Sequence, residues 1–190
     1  VSAAPVYPVF LRLDGAPVVI VGGGPVAASK LDGLLAAGAR VTIVSPTLDR
    51  GCRRPDVTWV ARGFVDADLD DARFVIAAAP PAVNRAVAAA AAARNLFVNA
   101  VDDRASATAY LGGVVRRGDV TIAISTGGAA PALAGLLREA VAALLPDDLD
   151  AWLATAVALR AELRGTDVPL AERRDRLFAA LCAARQGGSA

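Results

Sequence analysis

From Ala16 to Val101 the chain alternates between short β-branched runs and longer stretches with helical spacing of apolar residues. Val18–Val21, Val41–Val44, Phe74–Ala77 and Leu96–Val101 read as strands, with a weaker one at Val57–Ala61 ahead of a turn. Val26–Ala37 reads as a helix closed by Gly38, which suits the left-handed conformation that ends many helices, and Ala82–Arg94 reads as a second. Strands alternating with helices predict right-handed crossovers and a parallel, doubly wound α/β sheet. After Asp102 the rhythm changes. Val120–Ser125 is one more strand and Pro131–Leu145 a helix, followed by a break at Pro146–Asp148. Leu149–Leu163 and Leu170–Ala184 have the apolar spacing of a helical hairpin joined by Arg164–Pro169, and Gln186–Ala190 read as a frayed end.

Composition narrows the function classes. The 190 residues suffice for one substantial core, and at 55% hydrophobic the chain is expected to fold. Twenty Lys and Arg against 19 Asp and Glu leave no global field to draw the chain onto nucleic acid or an anionic membrane. An anionic ligand must then be held by local groups. Cys52 and Cys182 lie far apart without metal-ligand spacing, so neither a disulfide framework nor a metal site is expected, and a reducing cytoplasm is the default. Val1–Leu13 reads as mature protein rather than a leader, and the alanine run Ala86–Ala93 is too short to span a bilayer. Histidine is absent, so acid–base work falls to a carboxylate.

The run Val18–Ala27 places Gly22, Gly24 and Ala27 in a G-x-G-x-x-A arrangement between a strand and a helix. Gly22 permits the tight turn, Gly24 lets a pyrophosphate approach the backbone, and Ala27 lets the helix pack closely on the sheet. Pro25 fits the first helical turn, where its missing donor costs little, and the helix dipole faces the anion. An ordinary tight βα turn is the competing reading. A ribose-binding acid is expected about 20 positions on. Here the second strand ends in Val44-Ser-Pro-Thr47, with no acid before Asp49. Ser45 or Thr47 can bond to the ribose, while Arg50, Arg53 and Arg54 can accept a 2′-phosphate; the balance leans to NAD.

Asn99-Ala-Val-Asp-Asp103 closes a strand on the edge where open α/β sheets bind ligands. In extended backbone Asp102 and Asp103 point to opposite faces, so one of them is expected in the cleft. A solvated turn residue or cap is the plainer reading of either. Ser125-Thr-Gly-Gly-Ala-Ala-Pro131 has the make-up of a second anion cradle, and equally of a strand-to-helix turn without a ligand. Arg104, Arg116, Arg117 and Arg138 are scattered nearby as possible carboxylate partners.

Tyr7-Pro-Val-Phe-Leu, the Gly22–Gly24 turn with Lys30 in its helix, Asn99-Ala-Val-Asp102, and Ile122-Ala-Ile-Ser-Thr-Gly-Gly128 with Pro131 occur in one order. Taken together they resemble the precorrin-2 dehydrogenase family, the amino-terminal module of sirohaem synthases. The resemblance implies a Rossmann-like NAD-binding domain over residues 1–108, a dimerisation and substrate-loop region over 109–146 and a small helical domain over 147–190. It implies NAD-dependent oxidation of precorrin-2 to sirohydrochlorin by a homodimer, with Asp102 as the acid–base residue. Gly22, Gly23, Gly24, Pro25 and Val26 would line the pyrophosphate, Pro46 and Thr47 the adenosine half, and Ala78 the cofactor site as well. Ser125, Thr126, Gly127 and Gly128 would face the tetrapyrrole. Some members also insert ferrous iron, which makes a bifunctional chelatase the alternative. Ala130, where the family commonly has serine, and the residues near Thr47, Ala79 and Ala109–Gly112 depart from its pattern. Those departures motivate a third reading, a nucleotide- or tetrapyrrole-binding protein without catalysis.

Overall fold

The structure is a computed structural model that describes residues 6–187. Its first compact unit runs to Leu111 and its second begins at Gly112.

The first unit holds a five-stranded sheet built from β1 (Pro17–Val21), β2 (Arg40–Val44), β3 (Val57–Val60), β4 (Phe74–Ala77) and β5 (Phe97–Ala100), with α1 (Pro25–Ala36) and α2 (Pro81–Ala93) as crossovers. All neighbours pair in parallel and the order is β3-β2-β1-β4-β5. The chain therefore builds outward from β1 in one direction, then returns to β4 and builds in the other. Right-handed crossovers then place α1 and α2 on opposite faces. The core confirms this. Val18, Ile20, Phe74 and Ile76 pack with Ala27, Leu31 and Leu34 of α1. Their alternates Val19, Val21, Val75 and Ala77 pack with Val87, Ala90 and Ala91 of α2. Both faces being covered explains why these strands read as continuous apolar runs. Small residues on the buried stripe of α2 let that helix lie close to the sheet.

The helix signals in the sequence hold. Pro25 and Pro131 sit in the first turns of α1 and of α3 (Pro131–Leu144). Gly38, at φ +76°, donates to the Leu35 carbonyl at 2.9 Å and ends α1.

In the second unit, the expected strand is present as β7 (Val120–Ile124), but it pairs antiparallel with β6 (Gly113–Arg117), which the apolar pattern did not predict. Only Val114 and Val115 are apolar in β6, and Val115 alone is buried. The available signal was Gly118-Asp119, a two-residue hairpin turn whose first position needs positive φ, observed at +50°. α3 packs on this hairpin, and α4 (Leu149–Glu162) packs on β7 and on α5 (Leu170–Gly187). α5 runs through Gly187, so Gln186 and Gly187 are helical rather than frayed. Residues 188–190 and 1–5 lie outside the described residues.

Candidate active site

The order of the sheet puts its switch point between β1 and β4, and their carboxyl ends open a crevice there. The chain leaving β1 is fixed on both sides. The Gly22 amide donates to the Val44 carbonyl at 2.9 Å and the Ala78 amide to the Val21 carbonyl at 2.8 Å. Gly22 has φ +108°, and a Cβ there would collide with the Ala78 carbonyl. A Cβ on Gly23 would collide with the Thr47 carbonyl, and the Gly23 carbonyl accepts from the Asp49 amide at 2.7 Å. Two of the three glycines are thus required by the protein's own packing.

Gly24 differs. Its backbone is extended at φ −88°, it caps α1, and a Cβ there would meet only open space. Among the described residues no partner is recorded for the amides of Gly23, Gly24 and Val26, and Pro25 has none to offer. The first turn of α1 holds no acidic side chain. Unpaired amides at the positive end of a helix, with space over Gly24, fit a pyrophosphate.

Beside this cradle Pro46 and Thr47 are exposed, with the Thr47 carbonyl lying against Gly23. Ser45 is buried beneath Gly23, so of the two residues whose hydroxyls are offered to the ribose Thr47 is the exposed one. Asp49 spends one carboxylate oxygen on the Gly51 amide at 2.8 Å. Arg53 stacks over Trp59 at 5.7 Å, and Arg54 pairs with Asp32 at 3.0 Å and Asp56 at 3.5 Å. Of the three arginines offered to a 2′-phosphate, only Arg50 is without a recorded partner among the described residues. Beneath the loop the buried Cys52 thiol points at the Gly24 carbonyl at 3.8 Å, and burial pushes its pKa up.

A cleft of about 430 Å³ opens next to the cradle. Val26, Ala78, Ala79 and Pro81 form its apolar wall, and Asn84, Arg85, Asp102 and Asp103 its polar one. Two buried asparagines set this geometry. Asn84 Oδ1 accepts from the Ala79 amide at 2.9 Å, which fixes the loop after β4. Asn99 Nδ2 donates to the Ala109 carbonyl at 2.9 Å, and the Thr108 and Ala109 amides both donate to Val98, so the loop after β5 folds back on its own strand.

The backbone at Asp102 is not extended. Asp102 takes a left-handed turn at φ +57°, and this bend, rather than strand alternation, brings both Asp102 and Asp103 into the cleft. Asp103 is engaged: Ser106 donates through its hydroxyl at 2.7 Å and its amide at 3.1 Å. These bonds, helped by Arg85, hold the Asp103 carboxyl below the usual carboxylate range. No hydrogen bond to the exposed Asp102 carboxylate is recorded among the described residues. A left-handed non-glycine residue costs on the order of 1–3 kcal/mol, and such strain collects where chemistry is done.

The cleft therefore joins Val26, Ala78 and Asp102 of the predicted set. Ser125–Gly128 belong to the second unit and form a tight turn there. Ser125 Oγ accepts from the Gly127 amide, Thr126 Oγ1 accepts from the Ala130 amide at 3.2 Å, and Gly127 and Gly128 have φ +60° and +74°. Thr126 thus satisfies the amide of Ala130, while the first turn of α3 has no side-chain cap. Sequence reasoning missed Asn84 and Arg85. A polar residue on the buried stripe of an otherwise alanine-rich helix was the signal for Asn84; for Arg85 none existed before the sheet was assembled.

Residues 9–113 match the family described as "Putative NAD(P)-binding", and residues 117–144 match the one described as "Sirohaem biosynthesis protein central". The chain belongs to the NAD(P)-binding family whose model spans more than half of it, and it is similar to sirohaem synthases. Siroheme synthase 1 of Aeromonas salmonicida is 41% identical over 172 residues, 88% of this chain and 37% of that protein. Siroheme synthase of Gluconacetobacter diazotrophicus is 41% identical over 181 residues, 88% of this chain and 38% of that protein. The chain thus spans little more than a third of these relatives. A solved structure described as SirC, precorrin-2 dehydrogenase, superposes with a TM-score of 0.70 at 23% identity, covering 92% of this chain and 88% of that one, and shares the fold. No helix among the described residues is long and apolar enough to cross a membrane.

Proposed function

We propose that this chain oxidises precorrin-2 to sirohydrochlorin with NAD, using Asp102 as the acid–base residue. The observation that carries the reading is the Asp102 carboxylate, held on a left-handed turn and without a recorded donor among the described residues, in a cleft beside a backbone cradle fit for a dinucleotide. Bound on Gly23–Val26 and reaching toward Ala78, NAD would supply a hydride acceptor. Oxidation removes two hydrogens from the macrocycle, one as hydride and one as a proton. Asp102 takes the proton on a carboxylate oxygen and holds the adjacent pyrrolic edge in place. Asp103, held ionised by Ser106, keeps the turn in shape. The apolar wall excludes water from the reacting face.

NAD rather than NADP is supported by the engagement of Arg53 and Arg54 elsewhere. The loop Ser125–Gly128 is assigned to the tetrapyrrole on family grounds. A homodimer, with residues 109–146 as its contact region, is supported by the apolar surface of α3, where Leu136 is 64% and Leu144 83% exposed.

The test is anaerobic incubation with precorrin-2 and either NAD or NADP, following product and reduced-cofactor absorbance together. The reading expects sirohydrochlorin and NADH in equal amounts, faster with NAD. Asp102→Asn is expected to abolish turnover while NAD affinity stays within about twofold, because the substitution removes a proton acceptor and little volume. Full turnover by that variant would overturn the assignment of Asp102.

A further inference from the structure

We infer that Arg85 anchors a peripheral carboxylate of the substrate and so sets the macrocycle's edge against Asp102; this rests on the tetrapyrrole reading above. The cleft is lined by two carboxylates and by one cation, Arg85, on the exposed side of the first turns of α2. The guanidinium lines the cleft and has no salt bridge or hydrogen bond recorded among the described residues. Asp103 is near enough to feel its charge, yet that carboxylate is already satisfied by Ser106. An open guanidinium and an open carboxylate, Asp102, thus share one wall without pairing.

This arrangement suits a ligand that carries both complements: acidic groups on its rim for Arg85 and N–H groups within for Asp102. A polycarboxylate tetrapyrrole has that chemistry. The dinucleotide phosphates have their own cradle at Gly23–Val26, while Arg85 lines the cleft that also holds Asp102. An arginine here also offsets the repulsion that two aspartates would exert on an anionic substrate. Its planar fork grips a carboxylate through two parallel bonds, which a lysine does not reproduce.

The experiment compares wild type, Arg85→Gln and Arg85→Lys. Sirohydrochlorin binding is titrated by absorbance without NAD, and NAD binding is measured separately by tryptophan fluorescence. We expect the Kd for sirohydrochlorin to rise by about tenfold or more in Arg85→Gln, the scale of one lost charge-assisted hydrogen bond, and by less in Arg85→Lys. The Kd for NAD should stay within about twofold in both, as the cradle is backbone. An unchanged sirohydrochlorin Kd in a variant that melts like wild type would overturn the inference, as would an equal loss of NAD affinity. Failure of the wild type to bind sirohydrochlorin would instead overturn the tetrapyrrole reading, and this inference with it.

Discussion

Two glycines of one motif should fail in different ways when given the same methyl group. At Gly22, φ is +108° and a new Cβ would strike the Ala78 carbonyl. Backbone strain for a residue with a Cβ in such a conformation is about 1–3 kcal/mol. The carbonyl cannot swing away, because Ala78 is tied to Val21 by its amide at 2.8 Å and follows directly on the β1–β4 pairing. Forcing backbone apart in a packed core adds about 1–3 kcal/mol. Gly22→Ala is therefore expected to lose about 2–6 kcal/mol, a large share of the roughly 5–15 kcal/mol that holds a domain together. At Gly24 the backbone is extended and the methyl group would point into open space. Gly24→Ala should change stability by no more than about 1 kcal/mol, the balance of a slightly poorer helix cap and a stiffer unfolded chain. Its effect should appear in binding, where the methyl group stands between backbone and pyrophosphate and raises the NAD Kd by about tenfold or more. Urea unfolding of the ligand-free proteins and fluorescence titration with NAD measure the two effects separately. Equal destabilisation by both substitutions, or undiminished NAD affinity in Gly24→Ala, would refute the division.

Other expectations follow from the cleft and its supports. Asp102→Gly should raise stability by about 1 kcal/mol, since glycine takes φ +57° without strain, and should end catalysis; a lower melting temperature would contradict the strain at this turn. Asn84→Ala should cost about 1–3 kcal/mol, because it leaves the Ala79 amide beside the cleft without its acceptor, and a wild-type urea midpoint would count against that role. Asp68 is held below the usual carboxylate range by two bonds from Arg62 and by the Val65 amide. Its folded pKa is lower than its unfolded one, so its contribution is complete above the ordinary carboxylate range and lost as pH falls through the folded value. Urea midpoints measured from neutral pH down to about pH 2 should decline less steeply in Asp68→Asn than in wild type, and parallel curves would remove Asp68 from the acid-labile set.

Much of this protein was legible in one dimension because the signals involved are local. Apolar runs, glycine and proline at helix ends and the G-x-G-x-x-A turn each depend on a few neighbouring residues. They determined the parallel sheet, the crossover helices, the glycine turn at the start of α1 and the carboxylates at a strand end. Tertiary structure decided what distant segments do to one another. At Gly23 the requirement for glycine comes from Thr47 and Ser45 packed against it, which the motif itself does not show. Ser45, Arg53 and Arg54 looked available until burial, Trp59 and Asp32 claimed them. β6 has too little apolar character to be read alone and exists because β7 and α3 complete it. Asp102 and Asp103 meet in one cleft because the chain turns left-handed at Asp102, a bend that the return of Thr108 and Ala109 to Val98 makes possible. The sequence by itself could bring two aspartates to a strand end, but only the packing of three loops on one sheet edge showed that Asp103 is spent on Ser106 and that Asp102 is left open.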